Sequence, residues 1–572
     1  MFSATPPRRC SALALAAGAA LALALPTSVA AQAPPANPFL VDSPFPIVHG
    51  NNYRQGYSEL PALRGVDSVR VQTARTPSDR VSPWLQVSAP YGDGEHAFFG
   101  STSTHFWKAV AQGDRFDVVS EYVIDSDPAI NDLSWAFVLL GDHRYLTYDD
   151  SRLIVLADDP ASSTSELREE RIKRLPPVIG APAKLTPLYD GNIAFASEIG
   201  ILGVLDRDLN LLDTLRLAVA DGEDAFHNDF ASDETGGIYT VTTERMLKLQ
   251  WDGQQLSQVW EVPMDFGGNA IQGVGTTPTL IGGGAQSDHL VCVIDSKVPA
   301  RMIAFWRGDV PADFTPLDGF DERVAAITPL PGSGPISALY TAVENSPVAY
   351  GYELACGQYN GLLGQNCDAA RGVYKLRWDT TANTLDLQWQ RDDINLNNVL
   401  QYSVADDLLY GSGREDDCLY YYYGLDWDTG ETVARFALGA EGYYDDPGNA
   451  NVILPDSSIV FNSKERLVRV RPAAAARDAD TSSTTTAVVP LAPGAAYPNP
   501  TSGPLAVDLP TGWSDGAIVA RVVDATGRTV AAHRLSGGEA TIQFEVSELA
   551  RGLYVLSLRR DGEEVVVRFR KT

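Results

Sequence analysis

Three stretches carry side-chain oxygens that could hold a divalent cation or the hydroxyls of a sugar. His227-Asn228-Asp229-Phe230 sets an amide and a carboxylate side by side, just ahead of the turn Asp233–Gly237. Glu344-Asn345 follows the apolar run Ala338–Val343, and Asn397-Asn398, like Asn269 with Gln272, precedes another apolar run. A hard cation such as calcium is ligated by oxygens of this kind, so Asn228, Asp229, Glu344, Asn345 and Asn398 are the candidate ligands. Each also has a plain structural use, because Asn and Asp side chains satisfy backbone groups at turns and strand starts. Tyr420–Tyr423 could stack a sugar, yet a strand would put two rings on each of its sides, which suits packing better. Asp416-Asp417 and Asp445-Asp446 read as solvated turns. The histidines at 49, 96, 105, 143, 227 and 289 show no metal spacing. No Gly-x-Ser-x-Gly elbow, Walker loop or His-Glu-x-x-His occurs, so the common hydrolase and NTPase chemistries lack support. No catalytic residue is assigned.

The elements that would position these groups are strands, and they repeat. Gly203-Val204-Leu205-Asp206 leads through a turn to Leu211–Leu215, and Lys248–Gly253 leads to Val259-Trp260. Tyr374–Asp379 leads to Leu387–Trp389, and Gly424–Gly430 leads to Val433. Each copy is an apolar strand, an Asp-containing turn and a second strand with bulky side chains. The marker aspartates stand at 158, 206, 252, 295, 379 and 428, with one long step of 84 that reads as two units. A period in the forties with several strands per unit is the signature of a β-propeller. The body, 47–472, has room for seven or eight blades with irregular first and last units. Residues 32–46 read as an extended lead-in, and Ser163–Arg174 as an exposed helical insertion.

Gly275–Gly283, Ser403–Gly411 and the run Gly424–Phe436 resemble the repeats of quinoprotein-dehydrogenase-like (PQQ-like) propellers. That resemblance implies blade geometry rather than chemistry. Active quinoproteins use a Glu/Asn/Asp calcium site and often an adjacent Cys-Cys pair. The chain has no adjacent cysteines and no matching triad, which disfavours bound pyrroloquinoline quinone. His227–Tyr239 also resembles an element of gluconolactonase- and strictosidine-synthase-like propellers. This implies a role for Asn228 as a channel-facing metal ligand.

The last 77 residues, 496 to 572, read as a separate small all-β module. Apolar runs at Ile518–Val522, Val530–Leu535, Ala540–Val546, Leu553–Leu558 and Val565–Phe569 are separated by Gly-containing turns. Tyr497-Pro498-Asn499-Pro500-Thr501-Ser502-Gly503, Val523–Arg528 and Leu549–Leu556, with Gly552 and Tyr554, resemble the C-terminal sorting domain of type IX secretion cargo. The resemblance implies an Ig-like β-sandwich recognised by the export machinery and removed by a surface sortase. Ahead of it, 473–495 is an Ala/Thr/Ser/Pro tract too poor in large apolar residues to fold, so it reads as a linker.

At the other end, Arg8 and Arg9, the apolar run Ser11–Leu25 and Val29-Ala30-Ala31 read as a signal peptide cleaved between Ala31 and Gln32. Cleavage removes two arginines and no acid, taking the formal charge from −29 to −31. Such acidity argues against nucleic acid as a partner. No other run is long enough to span a membrane. Cys356 and Cys367 flank a polar loop and are the best candidates for a disulfide, although the four cysteines left after cleavage allow three full pairings. Cys292 reads as a buried thiol. The expectation is an exported, surface-attached or released all-β protein: a propeller followed by a sorting domain. Its body would bind a glycan or protein or serve as a scaffold; the alternative is a lactonase-like or quinoprotein-like enzyme with a calcium-like ion near Asn228 and Glu344.

Overall fold

The computed structural model describes residues 33–571 except 78–83, 125–136, 218–227, 268–273, 284–287, 334–344, 359–370, 445–449, 474–495, 498–504, 509–516, 525–528, 537–540 and some gaps of one or two residues. The chain divides into two compact units, Met1–Pro472 and Ala473–Thr572.

Unit one is an eight-bladed propeller, each blade built on four antiparallel strands, with a fifth, parallel strand added to blade 7. The innermost strands of blades 1 to 8 are Gln86–Val87, Val138–Gly141, Pro182–Pro187, Ala231–Ser232, Thr279–Ile281, Val348–Tyr350, Gln401–Ser403 and Asn451–Ile453. Successive strands of a blade follow outward in chain order, except in blade 8, whose outer strand is Val69–Arg75 from the N-terminal side. It runs antiparallel to Arg466–Pro472, with Val69 opposite Pro472 and Arg75 opposite Arg466. The ring is therefore fastened by residues nearly four hundred positions apart.

The core lies between the blades. Eight apolar clusters, one per neighbouring pair of blades, complete the circle. Period-two alternation produces this, because a strand sandwiched between two sheets buries both of its faces. Tyr420–Tyr423 divides as a strand requires: Tyr421 and Tyr423 pack toward blade 6, and Tyr420 and Tyr422 toward blade 8. Three junctions share a further device, a tryptophan on or just past a third strand donating its indole N–H to a carboxylate of the preceding blade. The pairs are Trp251–Asp190 at 2.7 Å, Trp378–Asp288 at 2.7 Å and Trp427–Glu353 at 2.5 Å. Blade 5 has Arg307 at the corresponding position, while the preceding Trp306 faces blade 6, buried with no partner for its N–H. At the junction of blades 4 and 5 Arg307 reaches Asp233, at 3.6 Å.

Five of the six marker aspartates follow or end third strands in blades 2, 3, 4, 6 and 7. Asp295 is out of phase, in the turn between the second and third strands of blade 5. The step of 84 therefore hides no degenerate unit; it combines this shift with the long connection from Gly357 to Val373 inside blade 6. The expected helix at Ser163–Arg174 is also corrected. Arg168–Arg174 is the outer strand of blade 2, paired with Arg152–Ala157. Its charged side chains read as helical, but an edge strand with one solvated face accommodates them equally well.

In unit two the five expected strands are present, as Ala517–Asp524, Thr529–Ser536, Thr541–Phe544, Gly552–Arg560 and Glu563–Lys571, joined by Ala496–Tyr497 and Leu505–Asp508. They form a three-stranded and a four-stranded sheet. In register, Ala520 faces Leu558 and Val522 faces Leu556, all four buried. The Tyr554 hydroxyl donates to the Ala550 carbonyl at 2.9 Å, pinning the turn before its strand. Pro498, Asn499, Pro500 and Gly503 lie outside the described residues, as do Ala31 and Gln32 and the tract 474–495.

Candidate functional site

The segment expected to be an extended lead-in, continuing into Ser58, instead fills the channel of the propeller. An innermost strand has a free edge, and unpaired backbone groups at a buried edge are costly. Here the arm supplies the partners. The amides of Val87, Ser232, Leu280, Ala349 and Val404 donate to the carbonyls of Phe45, Asn52, Tyr53, Gln55 and Ser58 at 2.7–3.0 Å, which involves blades 1, 4, 5, 6 and 7. Blade 3 joins through Asn52, whose amide donates to the Pro187 carbonyl at 2.6 Å. Tyr57-Ser58 adds a short parallel strand beside Tyr402-Ser403.

Between these contacts the arm folds into a knob that sequence periodicity does not describe. His49, Gly50, Arg54 and Gly56 all have positive φ, from 57° to 78°. The Gly56 amide closes the knob onto the His49 carbonyl at 2.8 Å. Glycine at 50 and 56 lets the chain turn without Cβ strain, whereas His49 and Arg54 must be held in this region by their surroundings.

Arg54 is the centre of the plug and fully buried. Its Nη2 lies 3.0 Å from Asp229 Oδ2 and donates to Thr186 Oγ1 at 2.6 Å. Its Nε donates to the Phe230 carbonyl at 3.0 Å and its Nη1 to the Val48 carbonyl at 2.7 Å. A buried guanidinium is tolerated only when its fork is filled in this way. Burial pulls the Arg54 pKa down and the Asp229 charge opposes that shift. Lys184 on blade 3 is treated alike, lowered by burial and partly restored by Asp229. His49 is 1% exposed and neither ring nitrogen has a hydrogen-bond partner. Burial, then the Arg54 charge, push its pKa down to about 3.

The described sequence candidates gather on the rim where innermost strands begin, but their polar groups are engaged by neighbouring blades or by their own blade. Asn228 donates to the Val274 carbonyl at 2.6 Å, linking blades 4 and 5. Asn345 donates to the Asn397 carbonyl at 3.1 Å, linking blades 6 and 7. Asn398 Oδ1 accepts from the Ser412 amide at 3.2 Å within blade 7. Asp229 is committed to Arg54, so a cation placed against it would meet a guanidinium. Glu344, His227, Asn269 and Gln272 lie outside the described residues. Among the described residues no three His, Cys, Asp or Glu side chains converge as a metal cluster.

The disulfide expectation is corrected. Cys356 carries a free thiol and so does Cys292, both buried, whereas Cys418 is disulfide-bonded. Cys356 points from the second strand of blade 6 into the core against blade 5. Burial pushes both thiols up to about 12, which keeps them protonated.

Among the described residues a cavity opens at the mouth where the arm enters and leaves. The cavity, of about 510 Å³, is walled by Asp42, Ser43, Pro44 and Pro46 on the incoming limb, Gly50 and Asn51 of the knob, Tyr57 to Leu60 on the outgoing limb, and Pro90 and His96 of blade 1. Periodicity does not announce it, since it exists only once the arm is seated. The flanking glycines and the unpatterned Asn51-Asn52-Tyr53-Arg54-Gln55 were the available signal.

Similar proteins can be set beside this geometry. A protein of Archaeoglobus fulgidus described only as uncharacterised is 27% identical over 435 residues, 71% of this chain and 83% of that protein. Among solved structures, the quinohemoprotein alcohol dehydrogenase of Comamonas testosteroni is similar with a TM-score of 0.47 and 11% identity, over 78% of this chain and 83% of that one. BamB of Moraxella catarrhalis is similar with a TM-score of 0.39 and 10% identity, over 71% and 97%. Residues 495–571 match the family described as secretion system C-terminal sorting domain. The second unit is thus a type IX sorting domain, which implies export to the cell surface or release, and its cargo is an eight-bladed propeller.

Proposed function

We propose that this protein is an exported propeller whose body binds a ligand at the cell envelope and performs no chemistry in its channel. The observation that carries the reading is the plug: residues 43–58 occupy the axis where a propeller enzyme would seat its cofactor, and Asp229 is neutralised by Arg54. Recognition is then made at the mouth cavity and the outer faces. The first 31 residues direct the chain into the periplasm, the sorting domain takes it across the outer membrane, and a surface sortase removes that domain on attachment.

Fractionation of a bacterium that uses this route tests delivery. The full chain should reach the surface or medium with Gln32 as its first residue, and a chain ending at Pro472 should stay in the periplasm. Equal export of both would refute the role given to the sorting domain. Calorimetric titration of calcium into chelator-treated protein tests the binding reading and should give only weak, diffuse uptake. A single tight site abolished by Asn228→Ala or Glu344→Ala would favour the enzyme instead.

A further inference from the structure

We infer that a disulfide between Cys418 and Cys367 staples blade 7 to blade 6 on the rim where innermost strands begin. Cys418 is disulfide-bonded. Cys292 and Cys356 are free thiols, both buried. Of the five cysteines in the chain, that leaves Cys10 and Cys367 as partners. Cys10 lies in the segment read as a signal peptide, ahead of Gln32, so the mature chain offers Cys367 alone. Cys367 itself lies outside the described residues, and the described chain resumes close by, at Arg371.

The residues beside the two cysteines meet. The Arg371 guanidinium pairs with the Asp416 carboxylate, and its Nη1 donates to the Asp393 carbonyl at 3.3 Å. Arg371 stands four residues after Cys367, and Asp416 two residues before Cys418. A disulfide needs Cα atoms about 4.4–6.8 Å apart, and four residues of chain reach up to about 13 Å. Cys367 is therefore tethered within range of Cys418. Cys418 is also an unusual residue for its turn, the connection between Leu408–Arg414 and Tyr420–Asp426, the second and third strands of blade 7. It holds a φ of 65°, in the left-handed region where glycine is the usual residue. Its amide donates to the Glu415 carbonyl at 2.9 Å and its carbonyl accepts from Arg414 Nε at 3.2 Å, which hold that conformation. A half-buried cysteine kept where glycine would sit without strain points to a side chain in use.

The chemistry balances simply. Each thiol gives up one proton and one electron as the S–S bond forms. A disulfide oxidant takes up both protons and both electrons through a mixed disulfide and leaves as two thiols. Cys292 and Cys356 stay out of this exchange, because the thiolate is the attacking species and burial keeps both protonated. Only the source of the oxidant rests on the delivery reading, since an export route supplies one. The blade 6–7 junction, where Asn345 donates to the Asn397 carbonyl, thus gains a covalent tie that a reducing medium opens.

Peptide mapping of the full-length secreted protein, alkylated after denaturation without reduction, tests the pairing. Trypsin and chymotrypsin together separate Cys356 from Cys367 at Tyr359. A linked pair of peptides holding Cys367 and Cys418 should appear and should come apart on reduction. Cys292 and Cys356 should carry the alkyl group, and neither should react in the folded protein. Cys367→Ser and Cys418→Asn, the latter tolerant of positive φ, should each lower the thermal midpoint by about 4 °C. The double variant should fall no further, and reduction of the wild type should give the same loss. Reduced protein reoxidised in glutathione disulfide should regain the pairing, which tests the bond apart from delivery. Alkylation of Cys418 without reduction, or its linkage to Cys10, Cys356 or a second chain, would overturn the staple. A double variant that falls by the sum of the single losses would overturn it as well.

Discussion

The two ends of the propeller axis make instructive opposites. The rim where innermost strands begin is rich in Asn and Asp, yet Asn228, Asn345 and Asn398 are spent on backbone groups of neighbouring or adjoining strands. The mouth at the other end has few conspicuous residues, yet it holds an open cavity, and its walls come mainly from a segment outside the repeat. In a ring of sheets, polar side chains at strand starts are needed first to satisfy the backbone between blades. An open cavity has to be built from something the repeat does not use, and here that is the arm.

The largest effect that would break this contrast lies at Arg54. Arg54→Met should cost about 3–5 kcal/mol in body stability by denaturant titration, because Asp229 is left buried and unpaired. Arg54→Met combined with Asp229→Leu should recover most of that loss; simple additivity of the two changes would deny the pairing.

Next comes pH. The folded-state pKa of His49 lies near 3, below its ordinary 6.5, so the unfolded chain takes up the proton first. Stability is complete above about pH 6.5 and declines as pH falls toward 3. Between pH 6.5 and 5 the loss should be about 2 kcal/mol, and it should vanish in His49→Asn, a residue that tolerates positive φ. An identical pH profile in the variant would place His49 in water.

Smaller still is the contrast between two tryptophans. Trp378→Phe breaks a bond to Asp288, whereas Trp306→Phe removes an N–H without a partner. The first should cost about 1.5 kcal/mol more than the second. Least of all, Asn345→Ala should cost about 1 kcal/mol in a denaturant titration, because the bond to the Asn397 carbonyl is lost.

Much of the architecture was legible because it repeats. Aspartates ending third strands recur wherever a tight turn is needed, and alternation in Tyr420–Tyr423 announced a strand buried on both faces. The last 77 residues were legible as a small β module from their strands and turns, and as a sorting domain only from the resemblance carried by Tyr497–Gly503, Val523–Arg528 and Leu549–Leu556. The plug was not, because a single copy of a knob with positive φ leaves no periodic trace, and its meaning depends on contacts with residues up to three hundred and fifty positions away. Arg168–Arg174 misled for the opposite reason: its charges fit either a helix or a solvated edge strand, and only its pairing with Arg152–Ala157 decides. Cys356 misled because proximity to Cys367 in sequence says nothing about which side of a strand the thiol faces.

The central claim is that the chain closes its own channel, and hydrogen exchange reads it directly. The amides of Ser232, Leu280, Ala349 and Val404, together with Arg54 and Gly56 in the knob, should exchange only with unfolding of the body, as slowly as the middle strands of the blades. Exchange of these amides within seconds, while the blade strands stay protected, would mean that the arm does not occupy the channel, and the account of the mouth cavity would fall with it.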